Sequence, residues 1–95
     1  MQVHYDEEDL LPFLTKFPAT EKNLLTQTLQ QFKALMQTAT AANLRYKATE
    51  CFLKGAMRPI YYKAFFYPHI ALFLHFTCDI EHQQITIEKI TYHLK

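Results

Sequence analysis

A small set of side chains in this sequence could do acid–base chemistry on an anionic substrate. Such chemistry needs a base to take a proton, a cation to carry developing negative charge, and an acid to return a proton. Glu50 or His93 could be the base. Arg58, Lys63 or Lys89 could be the cation, and His93 or Tyr92 the acid. Histidine titrates near neutral pH and can serve in either direction. Each residue also has a plainer reading: His93 as a solvated residue near the C-terminus, Glu50 as a surface carboxylate paired with Lys47 or Lys54, and Arg58 as a surface cation.

A second set suits binding rather than chemistry. Tyr61, Phe65 and Tyr67 flank Lys63 on one strand face, the mixture that stacks unpaired bases while cations track phosphates. Lys47, Lys54 and Lys89 extend the cationic part. The alternative for these aromatics is core or partner contact. The net charge is only +1, but it is unevenly spread. Residues 22–78 hold Lys22, Lys33, Arg45, Lys47, Lys54, Arg58 and Lys63 against Glu50 alone. That surplus could meet phosphates or an acidic partner, or be offset in space by Asp6, Glu7, Glu8 and Asp9.

Other chemistries lack a pattern. The histidines show no ligand spacing, so no metal is expected. There is no glycine-rich phosphate loop and no cofactor motif. Cys51 and Cys78 make neither a disulfide framework nor a nucleophile motif, and read as reduced thiols in a cytoplasmic protein. The N-terminus carries acids where a signal peptide would carry Lys and Arg.

The elements that must position these residues centre on 60–78. The stretch is rich in β-branched and aromatic residues and reads as two strands meeting at Pro68. Ile70, Leu72, Leu74 and Phe76 line one face of the second strand; Ala71, Phe73, His75 and Thr77 line the other. Both faces are largely apolar, which predicts a central strand covered on both sides. A membrane span is excluded by length. The longest run free of Lys, Arg, Asp and Glu is Ala64–Cys78, 15 residues, against the ~20 a bilayer needs.

Ahead of this core, Gln2–Tyr5 reads as an edge strand. Asp6 to Asp9 suit a helix start, and Pro12 is acceptable if Asp9 is the cap. Thr20 should cap a second helix, in which Leu24, Leu25, Leu29, Phe32, Leu35 and Met36 form an apolar stripe. Asn43–Glu50 reads as a loop or weak strand, and Gly55 as a turn. The last strand is Ile85–His93, with a bulge near Glu88-Lys89 where the apolar phase changes. The expectation is one domain, 1–95, of α+β class. Two N-terminal helices pack on a small twisted antiparallel sheet in the order β-α-α-β-β-β.

That order resembles the RelE/ParE toxin superfamily. Leu53-Lys54-Gly55, Tyr62-Lys63-Ala64-Phe65, Ile70–Phe76 and Ile85–His93 each resemble a segment of its second half. The ending Thr91-Tyr92-His93 looks most like the YoeB-type ribonucleases. The resemblance implies a toxin of a toxin–antitoxin pair, neutralised by a cognate antitoxin and cleaving mRNA on the ribosome. In that branch a glutamate before the turn is the base, and it falls at Glu50. The terminal histidine falls at His93, Leu94 replaces the final tyrosine, and the strand arginine's place falls at Ile70 or Ala71. The ParE branch instead implies a toxin that binds DNA gyrase. A non-enzymatic interaction module is the third expectation. Antitoxin contact is expected along Thr20–Met36 and the sheet edges, where an extended segment could add a strand.

Overall fold

The computed structural model describes residues 1–51 and 60–95. In chain order the elements are β1 (Gln2–His4), α1 (Glu7–Leu14), a short 3-10 turn (Ala19–Glu21), α2 (Lys22–Gln37), α3 (Leu44–Lys47), β2 (Thr49–Cys51), β3 (Ile60–Phe66), β4 (Ile70–Asp79) and β5 (Gln84–Leu94). The expected turn at Gly55 and strand start at Pro59 lie outside the described residues.

The strands form one sheet in the order β1-β5-β4-β3-β2. The pairs β2–β3, β3–β4 and β4–β5 are antiparallel, and short local turns join β3 to β4 and β4 to β5. β1 pairs parallel to β5, so the sheet is mixed rather than wholly antiparallel. A parallel pair needs a crossover of a dozen residues or more, and the helical N-terminal half supplies it.

β4 is central, as its composition implies. Ile70, Leu72, Leu74 and Phe76 are fully buried beneath the helices. α2 supplies Leu25, Phe32 and Met36 to the same core, and β5 supplies Ile85, Ile87 and Ile90. The Phe32 ring lies 5.2 Å from that of Phe76. Complete burial of Phe32 and of Met36 contributes about 1.5–3 kcal/mol each. Thr28 sits on the apolar stripe and is also buried. Its hydroxyl donates to the Leu24 carbonyl at 2.8 Å and shares a 2.7 Å hydrogen bond with the Tyr67 hydroxyl. Both polar groups are thereby satisfied inside the core.

The other face of β4 is not covered as expected. Ala71 is buried, but Phe73, His75 and Thr77 are only half-buried. The helices lie on one side of the sheet, and apolar residues on both faces of β4 therefore mark a core on one side and a surface on the other.

Three local expectations also change. The cap of α1 is Asp6, whose carboxylate accepts from the Glu8 amide at 2.9 Å, so Pro12 lies inside the helix. Its missing N–H weakens the ladder, and the helix ends two residues later. Thr20 lies in the 3-10 turn and makes no cap; α2 begins after Glu21 without a side-chain cap. Asn43–Glu50 contains a helical turn as well as a short strand. Thr40 and Asn43 set it up. Asn43 Oδ1 accepts from the Thr40 amide at 2.7 Å, and Thr40 Oγ1 accepts from the Asn43 amide at 3.3 Å.

The bulge falls where the sequence placed it. His75 pairs with Lys89 and Phe76 with Ile87, which leaves Glu88 as the extra residue. The extra residue switches the inward set from Ile85 and Ile87 to Ile90 and Tyr92.

Candidate nucleic-acid interface

Register decides which residues share a face, because directly paired residues on antiparallel strands point the same way. Tyr61, Lys63 and Phe65 pair with Phe76, Leu74 and Leu72, the buried set. They therefore lie on the helix side. Tyr62, Ala64 and Phe66 pair with His75, Phe73 and Ala71, and lie on the open side. On β5, Lys89, Thr91 and His93 join that open face opposite His75, Phe73 and Ala71.

The aromatic platform is thus on the face opposite to the expected one. Tyr61 stacks on Phe76 with ring centroids 5.6 Å apart, and Phe65 and Tyr67 pack against the core. Burial raises the Tyr61 pKa, and the charges of Glu50 and Cys78 add to the effect. On the open side, Tyr62 and Phe66 approach Phe73 with centroids 6.3 and 6.4 Å apart. Phe66 is 71% exposed. An exposed aromatic cluster on a sheet is unusual for a surface that only meets water.

A hollow of about 360 Å³ adjoins this platform, lined by Arg45, Tyr46, Lys47, Thr49, Tyr62, Lys63, Phe66 and Phe73 among others. Its walls come from α3, β2, β3 and β4. Leu44 and Ala48 are buried and anchor α3, which leaves Arg45 and Tyr46 exposed. The Arg45 guanidinium carbon lies 5.0 Å from the Tyr46 ring centroid. Lys47 Nζ donates to Thr38 Oγ1 at 3.1 Å, which fixes the ammonium at the rim. No carboxylate is among the described residues lining the hollow. The register turns Lys63 to the helix side, so Arg45 and Lys47 are the cations left to this face; with four aromatic rings and no acid they make an environment for a polyanion with flat bases.

The expected catalytic set is not assembled. Glu50 pairs with Tyr61, on the helix side of β2. His93 pairs with Ala71, on the open side and near the other end of the sheet. The two therefore lie on opposite faces of the sheet. The reason is the side-chain alternation of strands together with the bulge at Glu88, which fixes the phase of everything after it. Tyr92 is engaged elsewhere. Its hydroxyl donates to the Lys16 carbonyl at 3.1 Å, and its ring meets Phe17 edge-on at 5.2 Å. Lys63 and Lys47 line the hollow, and Lys89 lies on the open face opposite His75. Arg58 and Lys54 lie outside the described residues.

Sequence reasoning did not single out Tyr46, Tyr62, Phe66, Phe73 or His75 for this face, and it counted Arg45 only within the cationic surplus. The signal was present in part. Arg45-Tyr46-Lys47 follows a helix-start pair, Thr40 and Asn43, and the platform is the set left over once Ile70, Leu72, Leu74 and Phe76 are assigned inward.

His75 has the most unusual surroundings on this face. Its Nδ1 is buried without a hydrogen-bond partner among the described residues. Its ring lies 6.0 Å from that of Tyr62. Burial, followed by the charge of Lys89, holds the imidazole below its ordinary pKa. Backbone groups of Lys89 and Phe73 oppose this without making a hydrogen bond of normal geometry to Nδ1.

Other polar pairs lie away from the hollow. His69 meets Glu21 at 2.8 Å, and His82 meets Asp79 at 2.8 Å. No group of three metal-ligating side chains occurs among the described residues. The Cys78 thiol has its pKa raised by burial and then by Asp79, which leaves it protonated at neutral pH. Among the described residues no helix is long and apolar enough to cross a membrane. No protein-family model matches this chain, and no curated protein or solved structure matches it either.

Proposed function

We propose that the open sheet face and α3 bind single-stranded RNA. The bases would stack on Tyr62, Phe66 and Phe73, and the phosphates would follow Arg45 and Lys47. The observation that carries this reading is the acid-free hollow in which those cations and rings meet. Double-stranded nucleic acid fits it less well, because paired bases cannot reach a stacking platform.

In this reading the chain serves as the toxin of a toxin–antitoxin pair, the role its resemblance to the RelE/ParE superfamily implies, and reaches mRNA by binding it. Cleavage through Glu50 and His93 is not included, since the register separates them. An antitoxin segment has a place to pair. β2 covers only Ile60–Tyr62 of β3, and Lys63–Phe66 have no strand neighbour on that edge among the described residues. An added strand there would also cover the hollow, so inhibition and RNA binding would compete.

The test is fluorescence anisotropy with a labelled single-stranded RNA, competed by the same sequence as duplex. Preference for the single strand supports the proposal. Equal or tighter binding of the duplex, or no binding, removes it.

A further inference from the structure

We propose that His75, Lys89 and Tyr62 form a phosphate-recognition subsite on the open face, in which protonated His75 and Lys89 together hold one phosphodiester of a single-stranded RNA. The inference rests on the RNA-binding reading above and adds to it a site that the hollow does not contain.

The three residues lie in one row across the sheet. His75 on β4 pairs with Tyr62 on β3 and with Lys89 on β5. The imidazole keeps 6.0 Å from the Tyr62 ring, and Lys89 is exposed. Lys89 has no ion pair among the described residues. Its near neighbour Glu88 is the bulge residue, and the Glu88 carboxylate accepts from the Thr77 hydroxyl at 2.9 Å. That bond ties the one nearby negative charge to the row after His75. The bulge thus delivers Lys89 beside an imidazole while its own carboxylate is held by another partner.

An imidazole next to an unpaired ammonium is a frustrated arrangement in the free protein. His75 stays neutral at neutral pH because burial and Lys89 both disfavour its charge. A phosphate seated between the two groups reverses the second cause. The imidazole then takes up a proton as RNA binds, and by linkage RNA binds more tightly as pH falls. The titratable or charged groups around His75 are Lys89 and Glu88 on β5 and Tyr62 on β3. On β4 its same-face neighbours, Phe73 and Thr77, do not titrate. His93 shares the open face and carries the same side chain, so it is the necessary control.

The test is anisotropy with a single-stranded RNA of about 10 nucleotides, within the span such platforms cover. Affinity is measured at about pH 5.5 and about pH 7.5, on either side of the ordinary imidazole range. The wild-type protein should gain about three- to tenfold at the lower pH, which corresponds to a His75 pKa raised on binding by about half to one unit. His75→Gln should lose the gain, His93→Gln should keep it, and Lys89→Ala should weaken binding at both pH values. The His75→Gln fold is checked by circular dichroism, with His75→Asn as a second variant. A gain that persists in both His75 variants overturns the subsite but leaves the RNA-binding reading standing, as does the absence of any gain in the wild type. Absence of binding by every protein at both pH values overturns both.

Discussion

Arg45→Ala should flatten the salt dependence of RNA binding by an amount that counts one phosphate contact. The open-side cations of the hollow are Arg45 and Lys47. Each phosphate neutralised on a single strand contributes about −0.7 to the slope of log affinity against log salt. Two contacts give a slope of about −1.4, so raising salt from about 50 to about 200 mM should weaken wild-type binding by roughly 7-fold. Removing Arg45 should leave a slope of about −0.7 and a loss of roughly 2.6-fold over the same range. Contacts made elsewhere on the face would steepen both lines alike and leave the difference unchanged. The substitution should not perturb the fold. Arg45 is exposed, and its recorded contacts are a 3.1 Å hydrogen bond to the Tyr46 hydroxyl and the stacking on that same ring. A stability change within about 0.5 kcal/mol is expected for such a site. Anisotropy at four or more salt concentrations gives both slopes. Parallel lines for the two proteins would falsify the assignment of Arg45 to a phosphate.

Other substitutions separate surface from core. Phe66→Ala should weaken RNA binding by about 1–3 kcal/mol, the contribution of one stacked base, while urea unfolding stays nearly unchanged because the ring is largely exposed. Phe32→Ala should do the reverse in its main effect, lowering stability by about 3–5 kcal/mol through lost burial and the cavity left beside Phe76. Thr28→Val leaves the Tyr67 hydroxyl without its 2.7 Å partner and should cost about 1–3 kcal/mol in the same unfolding assay. For His75 the folded-state pKa lies below the unfolded one, so the unfolded chain binds more protons as pH falls. Its contribution to stability is complete above the ordinary histidine pKa of about 6.5 and is lost as pH drops below it. Unfolding midpoints of wild type should therefore fall more steeply below that pH than those of His75→Gln, and equal steepness would contradict the burial argument.

Where the sequence was informative, a single strong pattern did the work. The apolar spacing of Leu24 to Met36 located α2, and Pro68 with its flanking aromatic residues located the β3–β4 turn. The phase change between Ile87 and Ile90 located the bulge, because one extra residue is the simplest way to keep both isoleucines buried. Composition gave less where two arrangements satisfy the same residues. Both faces of β4 are apolar enough for a core, and the choice is made by which side receives the helices. That choice moved the aromatic platform from Tyr61, Phe65 and Tyr67 to Tyr62, Phe66 and Phe73. It also separated Glu50 from His93, since strand alternation allows neighbours in sequence to serve opposite faces. The direction of β1 was illegible for a different reason. Three residues carry no sign of which way they will pair, and the connection through the helices sets it. α3 is a single turn, too short to hold on propensity alone, and it forms through the reciprocal Thr40–Asn43 bonds and the burial of Leu44.

Amide and aromatic shifts of the isotope-labelled protein, followed during titration with a short single-stranded RNA, address the platform most directly. The account predicts that perturbations gather on Tyr62, Phe66, Phe73, His75 and Thr91 and on Arg45 to Lys47, with α1 and α2 unmoved. Shifts confined to the helical side, around Leu11, Leu29 and Tyr61, would contradict it.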